Sequence, residues 1–248
     1  MKKAVKVMCF AVLLTGIAFT AQAQFRQSVY LNGNIPTGDF SKSVGSNTLV
    51  PNSVPLGYEE IGKAATLGFG LGYRVSYRFD VGVGEVAPWA QADLFWNMIS
   101  NKWRDKYLDA DFTTPTYFNI PVLAGVSYLY DELWNDITLF GEFGVGSDLF
   151  MITSEGTENL TGNGGYLKCS YEPTFAMAWM LGAGAYFGRH VSAGLYYYGL
   201  GTHPIDYTKK TLDKNTVAAL QMNANNLANH GREKRDLGTL ALRIGFHF

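Results

Sequence analysis

Residues 66–79, TLGFGLGYRVSYRF, decide the fold class of this 248-residue chain. One parity of this stretch is apolar from Leu67 to Phe79, whereas the other carries threonine, glycine, serine, Arg74 and Arg78. Because successive side chains of a strand point to opposite faces, the pattern predicts a β-strand with two unlike faces. A soluble sandwich also alternates, but its solvent face is rich in Lys, Glu and Thr. Small residues with few charges favour the crowded inside of a small closed barrel.

Seven further stretches repeat the alternation, so the sequence predicts eight strands. They cover residues 28–35, 86–97, 118–130, 138–149, 174–187, 191–198 and 239–248. The gaps alternate in length: residues 36–65, 99–115, 152–171 and 202–236 are long, and residues 80–84, 131–136 and 188–190 are short. Outer-membrane barrels have short periplasmic turns and longer extracellular loops. The sequence therefore predicts an all-β fold, an eight-stranded antiparallel up-and-down transmembrane β-barrel with both termini in the periplasm.

Composition excludes several other classes of protein. The chain is 17% charged and 15% aromatic, which is too few charges and too many aromatic residues for a disordered protein. Its 28 glycines show no three-residue period, which excludes collagen. After Gln24 no segment stays apolar for 18 residues, so no transmembrane helix is predicted.

The first 23 residues are predicted to be a cleaved signal peptide. Lys2, Lys3 and Lys6 precede an apolar core at residues 7–20, and Ala21-Gln22-Ala23 forms a cleavage site. Residues 24–248 would then form the barrel. Cleavage leaves Cys169 as the lone cysteine, so neither an intramolecular disulfide nor a cysteine-pair metal site is expected. It also leaves 17 Lys and Arg against 21 Asp and Glu, and nothing indicates nucleic-acid binding.

Three stretches resemble a known family. Residues 31–40 (LNGNIPTGDF) and 118–125 (FNIPVLAG) are similar to an opening and a middle strand of the outer-membrane β-barrel domain family, of the small eight-stranded OmpA and OmpX kind. The terminal strand resembles the recognition strand read by the barrel-assembly machinery, with alternating Leu240, Leu242, Ile244, Phe246 and Phe248. The resemblance implies a monomer in the outer membrane of a Gram-negative bacterium. It also implies membrane lipid, lipopolysaccharide, the assembly machinery and periplasmic chaperones as partners.

The predicted inward face carries six ionisable side chains that would form a polar network in the lumen: Arg74, Arg78, Asp93, Glu142, Asp148 and Arg243. Because an unpaired buried charge is costly, opposite charges in a narrow lumen should pair. Eight strands leave an interior just wide enough for side chains to fill. The expected function is therefore a structural or surface-interaction role without catalysis, and the expected lumen is a plug.

Two alternatives stay open at this point. The first is a narrow, porin-like channel. The second is an enzyme that modifies lipid A, because His190 and Ser192 share a strand face like the His-x-Ser pair of lipid A deacylases. However, the loop lengths place this pair at the periplasmic end, away from lipopolysaccharide, and no acidic partner is near in sequence. Asp105, Asp109 and Asp111 lack the order and glycine of a calcium loop, so no catalytic, metal or cofactor site is predicted.

The long loops carry two further predictions. Basic and aromatic residues near the outer rim could contact lipopolysaccharide phosphates, and these are Lys102, Trp103, Arg104, Lys209 and Lys210. Apolar residues at steps of three and four within residues 212–229 predict a short amphipathic helix over the barrel mouth. The loops contain no recognisable motif for an extracellular ligand.

Overall fold

The computed structural model describes residues 25–42, 63–100, 112–113, 115–134, 136–153, 155–158, 166–205, 207–212 and 233–248. The predicted signal peptide, residues 102–104 and nearly all of the predicted loop helix lie outside these ranges. Within them, no helix combines the length and the hydropathy that crossing a bilayer would need.

Strands dominate the described residues: β1 (Phe25–Gly38), β2 (Ala65–Tyr77), β3 (Phe79–Asp80), β4 (Glu85–Ile99), β5 (Phe112–Thr113), β6 (Thr116–Trp134), β7 (Ile137–Ile152), β8 (Glu155–Glu158), β9 (Tyr166–Tyr171), β10 (Thr174–Phe187), β11 (Val191–Ile205), β12 (Tyr207–Leu212) and β13 (Glu233–His247). Eight long strands pair in the order β1-β2-β4-β6-β7-β10-β11-β13. Because β13 pairs back onto β1, the sheet closes. All these pairs are antiparallel, and the predicted eight-stranded up-and-down barrel is confirmed.

The alternation of the sequence becomes the two faces of the barrel wall. In β2, the side chains of Phe69 and Leu71 are exposed on the outer face, whereas Arg74 is buried inside. Every long strand exposes large apolar side chains outward, for example Leu31, Leu71, Leu94, Val122, Phe143, Leu181, Leu195 and Leu242. The barrel therefore has an apolar outside and a lumen lined by polar, small and aromatic residues.

A β-bulge in β11 reverses this alternation. The register with β13 shifts between Gly199 and Gly201. Gly201 has a φ of 90°, a backbone conformation that residues other than glycine rarely adopt. Beyond the bulge the odd-numbered residues face inward, so His203 is fully buried. The sequence predicted this strand only as far as residue 198, because its simple alternation stops there.

Three of the long connections contribute to a second sheet. Strands β5, β8, β9 and β12 form a four-stranded sheet in the order β12-β9-β8-β5. The sequence pattern had predicted loops for these segments. Strands of two to six residues are too short for an alternation pattern to distinguish them from a loop.

The aromatic side chain of Phe40 closes the long-loop end of the lumen. A 3-10 helix at Asp39–Ser41 places Phe40 in the mouth, where its ring lies 5.4 Å from Tyr117 and 6.0 Å from Phe150 between centroids. Lys42 Nζ donates to Asp39 at 2.6 Å, and the Asp236 N–H donates to the other Asp39 oxygen at 3.0 Å. The Lys42 side chain and this N–H hold the pKa of Asp39 below its ordinary value. These hydrogen bonds hold the 3-10 helix, and with it Phe40, at the mouth of the barrel.

Candidate functional site

The middle of the lumen contains six interacting polar side chains, which we call the lumen cluster. Its members are Arg74 on β2, Gln91 and Asp93 on β4, Glu142 on β7, Tyr198 on β11 and Arg243 on β13. Each is at most 4% exposed. Five strands on different sides of the barrel thus supply one network, and the inward parity of each strand places its side chain there.

An ion pair between Arg74 and Glu142 spans the lumen. Arg74 donates from Nη1 and Nη2 to the two carboxylate oxygens of Glu142, at 2.6 and 2.5 Å. The Ser127 hydroxyl donates to the same carboxylate at 2.7 Å. The guanidinium lies 4.3 Å from the centre of the Trp89 ring. Two-point pairing on a planar carboxylate fixes both side chains, and the indole stabilises the positive charge.

Arg243 forms the second charged centre of the lumen cluster. Its Nη2 lies 3.2 and 3.3 Å from the two oxygens of Asp93, and its Nε donates to Asn32 at 2.9 Å. It also donates to the hydroxyl of Tyr198, which in turn donates to Asp93 at 3.0 Å. The guanidinium lies 4.2 Å from the centre of the Tyr196 ring. Burial of this charge is thus compensated by a carboxylate and by aromatic faces.

Gln91 joins the two charged centres. Its amide oxygen accepts hydrogen bonds from Arg74 at 2.8 and 2.6 Å and from Arg243 at 3.0 Å. Its amide nitrogen donates to the Tyr198 hydroxyl at 3.0 Å and to Asp93. Two arginines and two acids balance in charge, so the lumen cluster is neutral overall. A hydrated ion moving along the lumen would have to break several of these bonds.

Two of the predicted network residues lie elsewhere. Arg78 is not in the lumen cluster, because β2 ends at Tyr77 and Arg78 pairs instead with Glu85 at 2.8 Å, near the short-turn end. Asp148 is fully buried, but the side chain beside its carboxylate is His203, whose Nε2 lies 3.2 Å away. The structure therefore brings four of the six predicted residues together and separates Arg78 and Asp148 from them.

Sequence reasoning missed the aromatic partners of the arginines. Trp89, Tyr196 and Tyr198 all belong to the inward parity, but the alternation alone gave them no role. Tyr30 lies between the two arginines, with its ring centre 5.2 Å from Arg74 and 4.3 Å from Arg243. Aromatic residues on the same face as arginines were the available signal, because a buried guanidinium favours ring faces.

The His190 and Ser192 pair does not form. Ser192 is buried, and its hydroxyl lies 2.7 Å from Nε2 of His247, whose other ring nitrogen lies 2.7 Å from the Ser28 hydroxyl. His190 instead places its Nδ1 3.0 Å from the main-chain oxygen of His247. A serine on each ring nitrogen leaves no position for the carboxylate that orients a catalytic histidine. Within the described ranges, no three His, Cys, Asp or Glu side chains converge as a metal site would require.

The remaining predicted residues belong to the ends and the outside of the barrel. In the predicted recognition strand, Leu242, Ile244, Phe246 and Phe248 are exposed on the outer face, and Leu240 is half-buried. Phe248 continues the pairing with β1, because its N–H donates to Gln27 at 3.0 Å. Lys209 and Lys210 lie in β12, which pairs with β9. Lys102, Trp103 and Arg104 lie outside the described residues.

Comparison with known proteins gives structural likeness only. No family model matches the sequence, and no curated protein matches it either. A major outer membrane protein from Thermus thermophilus is similar, with 12% identity, a TM-score of 0.45, and coverage of 90% of this chain and 99% of that one. For Neisserial surface protein A the values are 10%, 0.37, 90% and 97%. For Ail, the attachment invasion locus protein of Yersinia pestis, they are 13%, 0.38, 91% and 98%. At these identities and scores the likeness says nothing about activity, and the fold rests on the strand pairing itself.

Proposed function

We propose that this chain is an integral outer-membrane β-barrel protein with a closed lumen and a structural or surface-interaction role, without catalysis. The observation that carries the proposal is the lumen cluster, which places paired charges in the middle of the barrel while the outer face is apolar. A water-soluble barrel would place its apolar residues inside and its charges outside. This chain instead has large apolar side chains all around its outer face and buries its paired charges in the lumen.

The apolar outer face supports membrane insertion. Soluble monomers rarely expose contiguous apolar patches larger than a few hundred Å². Here exposed apolar side chains occur on all eight long strands, so they encircle the barrel. Because the sheet is closed, the main-chain N–H and C=O groups of each strand form hydrogen bonds with neighbouring strands. These groups need such partners in the hydrocarbon of a membrane, where no water is available. Lipid is the solvent that fits this surface.

The packed interior supports a closed lumen. An eight-stranded barrel leaves an interior just wide enough for side chains. Tyr30, Tyr196 and Tyr198 fill the space around the arginines, and Phe40 closes the long-loop end. Each of these four side chains is at most 2% exposed. No comparable observation supports the porin-like alternative. With the lumen closed, the proposed surface-interaction role falls to the long loops.

The proposed partners follow from position. Outer-membrane lipid would surround the apolar face, and the assembly machinery would read the strand that ends at Phe248. Chaperones would carry the chain through the periplasm. The rim residues Lys102, Trp103, Arg104, Lys209 and Lys210 would meet lipopolysaccharide phosphates. Both termini would lie in the periplasm, since an even number of strands returns the chain to its starting side.

An epitope-tag experiment on intact cells tests the proposed location and orientation. A tag inserted after Asn47, in the long connection between β1 and β2, should bind antibody on intact cells. The same tag inserted after Gly82, in the short turn between β3 and β4, should bind only after permeabilisation. Labelling of the Gly82 insertion on intact cells would invert the orientation. Labelling of neither insertion, with the folded protein present in the membrane fraction, would contradict a surface role.

A further inference from the structure

The Phe40 side chain occupies an aromatic site inside the mouth of the barrel. Its ring contacts Tyr117 on β6 and Phe150 on β7, whose own centroids lie 5.9 Å apart. Phe40 is fully buried, although it belongs to a short 3-10 helix and not to a strand. The space that this side chain fills is therefore the size of a benzyl group and is bounded by rings of the barrel wall.

Two polar side chains beside this aromatic site lack hydrogen-bond partners within the described residues. Asn119 pairs with Phe150 across β6 and β7, and neither end of its amide forms a hydrogen bond. Asp148 lies two residues from Phe150 on the same face of β7. Neither of its carboxylate oxygens accepts a hydrogen bond of good geometry, although His203 and the main chain of Ile120 lie beside it. Fully buried polar groups without partners are rare in native proteins, and they favour a site where a ligand completes the hydrogen bonds.

The Asp148 carboxylate also lacks a permanent positive charge beside it. Within the part of the chain that the structure describes, no arginine or lysine forms an ion pair with it. His203 Nε2 lies 2.9 Å from the main-chain oxygen of Leu200, and its Nδ1 lies 3.0 Å from the Thr174 hydroxyl. A neutral imidazole satisfies both contacts, by donating from Nε2 and accepting at Nδ1. Because a buried charge without a partner is costly, a positively charged ligand fits this carboxylate.

The rings and the carboxylate together indicate the chemical class of the ligand. The aromatic site and the carboxylate are continuous, because the Phe150 ring lies 5.4 Å from His203, whose Nε2 is 3.2 Å from Asp148. Aromatic rings attract organic cations. An ammonium group carries three N–H donors, which suit the oxygens of Asp148 and Asn119. A ligand with an aromatic ring and an ammonium group matches both parts of the site.

The 3-10 helix that carries Phe40 can leave the mouth without breaking a strand. It follows Gly38, the last residue of β1, whose φ of 66° is a conformation that glycine adopts most readily. The helix is held by the bonds of Asp39 described above and by the Ser41 hydroxyl, which donates to the Gly38 main-chain oxygen at 3.1 Å. All these bonds are exposed at the rim. Phe40 is thus an internal occupant with which a ligand competes, and such competition lowers the apparent affinity.

We propose that the long-loop mouth of the barrel binds a small arylalkyl ammonium ligand. Its ammonium group would lie at Asp148 and Asn119, and its ring would take the place of the Phe40 side chain. The inference rests on the proposed function only for location, because the long loops place this mouth outside the cell, where a solute reaches it. An organic cation fits better than a metal ion, since rings line the site beside a single carboxylate.

Isothermal titration calorimetry of the folded full-length mature protein in lipid nanodiscs tests the site. The probe is phenethylamine, and 2-phenylethanol has the same ring with a hydroxyl in place of the ammonium. Phe40→Ala should bind phenethylamine about tenfold more tightly than the wild type, because no side chain has to leave the site. The same variant should prefer phenethylamine over 2-phenylethanol by about tenfold or more. Adding Asp148→Asn should abolish this preference.

Phe69→Ala and Glu172→Gln are the matched controls. Phe69 is an aromatic residue on the outer face, and Glu172 is an exposed carboxylate at the long-loop end. Phe69→Ala should bind phenethylamine like the wild type, and adding Glu172→Gln to Phe40→Ala should leave the preference unchanged. Phe40→Leu replaces Phe40→Ala if the latter does not fold. If Asp148→Asn does not fold, the two ligands still test the charge by themselves.

Three results separate the possible failures. Equal binding of the two ligands by Phe40→Ala, or a preference that survives Asp148→Asn, would overturn the proposal. Protein that inserts into bilayers but binds neither ligand, with or without Phe40→Ala, would overturn this inference alone. Failure of the wild-type protein to insert would contradict the proposed function instead.

Discussion

Replacing Glu142 with alanine should lower the free energy of unfolding by about 3 to 5 kcal/mol. Glu142 accepts two hydrogen bonds from Arg74, and both side chains are almost completely buried. Without the carboxylate, the guanidinium keeps only the amide oxygen of Gln91 and its neighbouring rings. Breaking a buried pair costs more than the pair contributes, because it leaves an uncompensated charge away from water.

Urea-induced unfolding of the protein in lipid bilayers measures this effect. Ala124→Val is the control, because Ala124 is on the exposed outer face of β6 and an added methyl group there meets lipid. The control should unfold at the same urea concentration as the wild type. If Glu142→Ala were equally stable, the lumen would be hydrated enough to solvate Arg74, and the closed lumen would be wrong.

Gly144→Ile should destabilise the barrel by about 1 to 3 kcal/mol or prevent it from folding. Gly144 faces the lumen on β7, and a Cβ there would lie 2.2 Å from the Trp89 ring and 3.2 Å from the Ala124 main-chain oxygen. The indole has little room to move, because it is 4% exposed and packs against the Arg74 guanidinium. The added side chain therefore strains the packing of Trp89 on Arg74, the same arginine that Glu142→Ala would leave without its carboxylate.

Gly141→Ile is the matched control on the same strand. Gly141 faces outward, and a Cβ at this position would have no atom within 4 Å, so the same substitution adds volume outside the barrel. Heat-dependent gel mobility gives the folded fraction, and the urea midpoint gives the stability. Equal values for the two variants would show that the lumen around Trp89 has free space.

The wall of the barrel could be predicted from sequence because one local rule governs it. The alternation in residues 66–79 assigns Leu71 outward and Arg74 inward without any knowledge of partners. The contact of Arg74 with Glu142 could not be predicted in the same way. These residues are 68 positions apart, and β4 and β6 lie between their strands in the sheet. Their meeting depends on strand tilt and barrel width, which no local pattern contains.

The deviations from simple alternation could not be predicted from the sequence either. His203 faces inward because the bulge at Gly199 and Gly201 adds a residue on one side of the pairing. Arg78 leaves the network because β2 ends one residue before it, and strand ends are poorly specified by hydrophobic period. The position of Phe40 depends on a 3-10 helix of three residues, which is too short to produce a periodic pattern in the sequence.

Ion conductance in planar bilayers tests the central claim most directly. Purified wild-type protein is folded into liposomes, its folded fraction is verified by gel mobility, and the liposomes are fused with the bilayer. Because paired side chains fill the lumen, we expect the membrane conductance to stay at the level of protein-free bilayers. Stable single-channel steps from the folded wild-type protein would contradict the closed lumen and would establish the narrow-channel alternative.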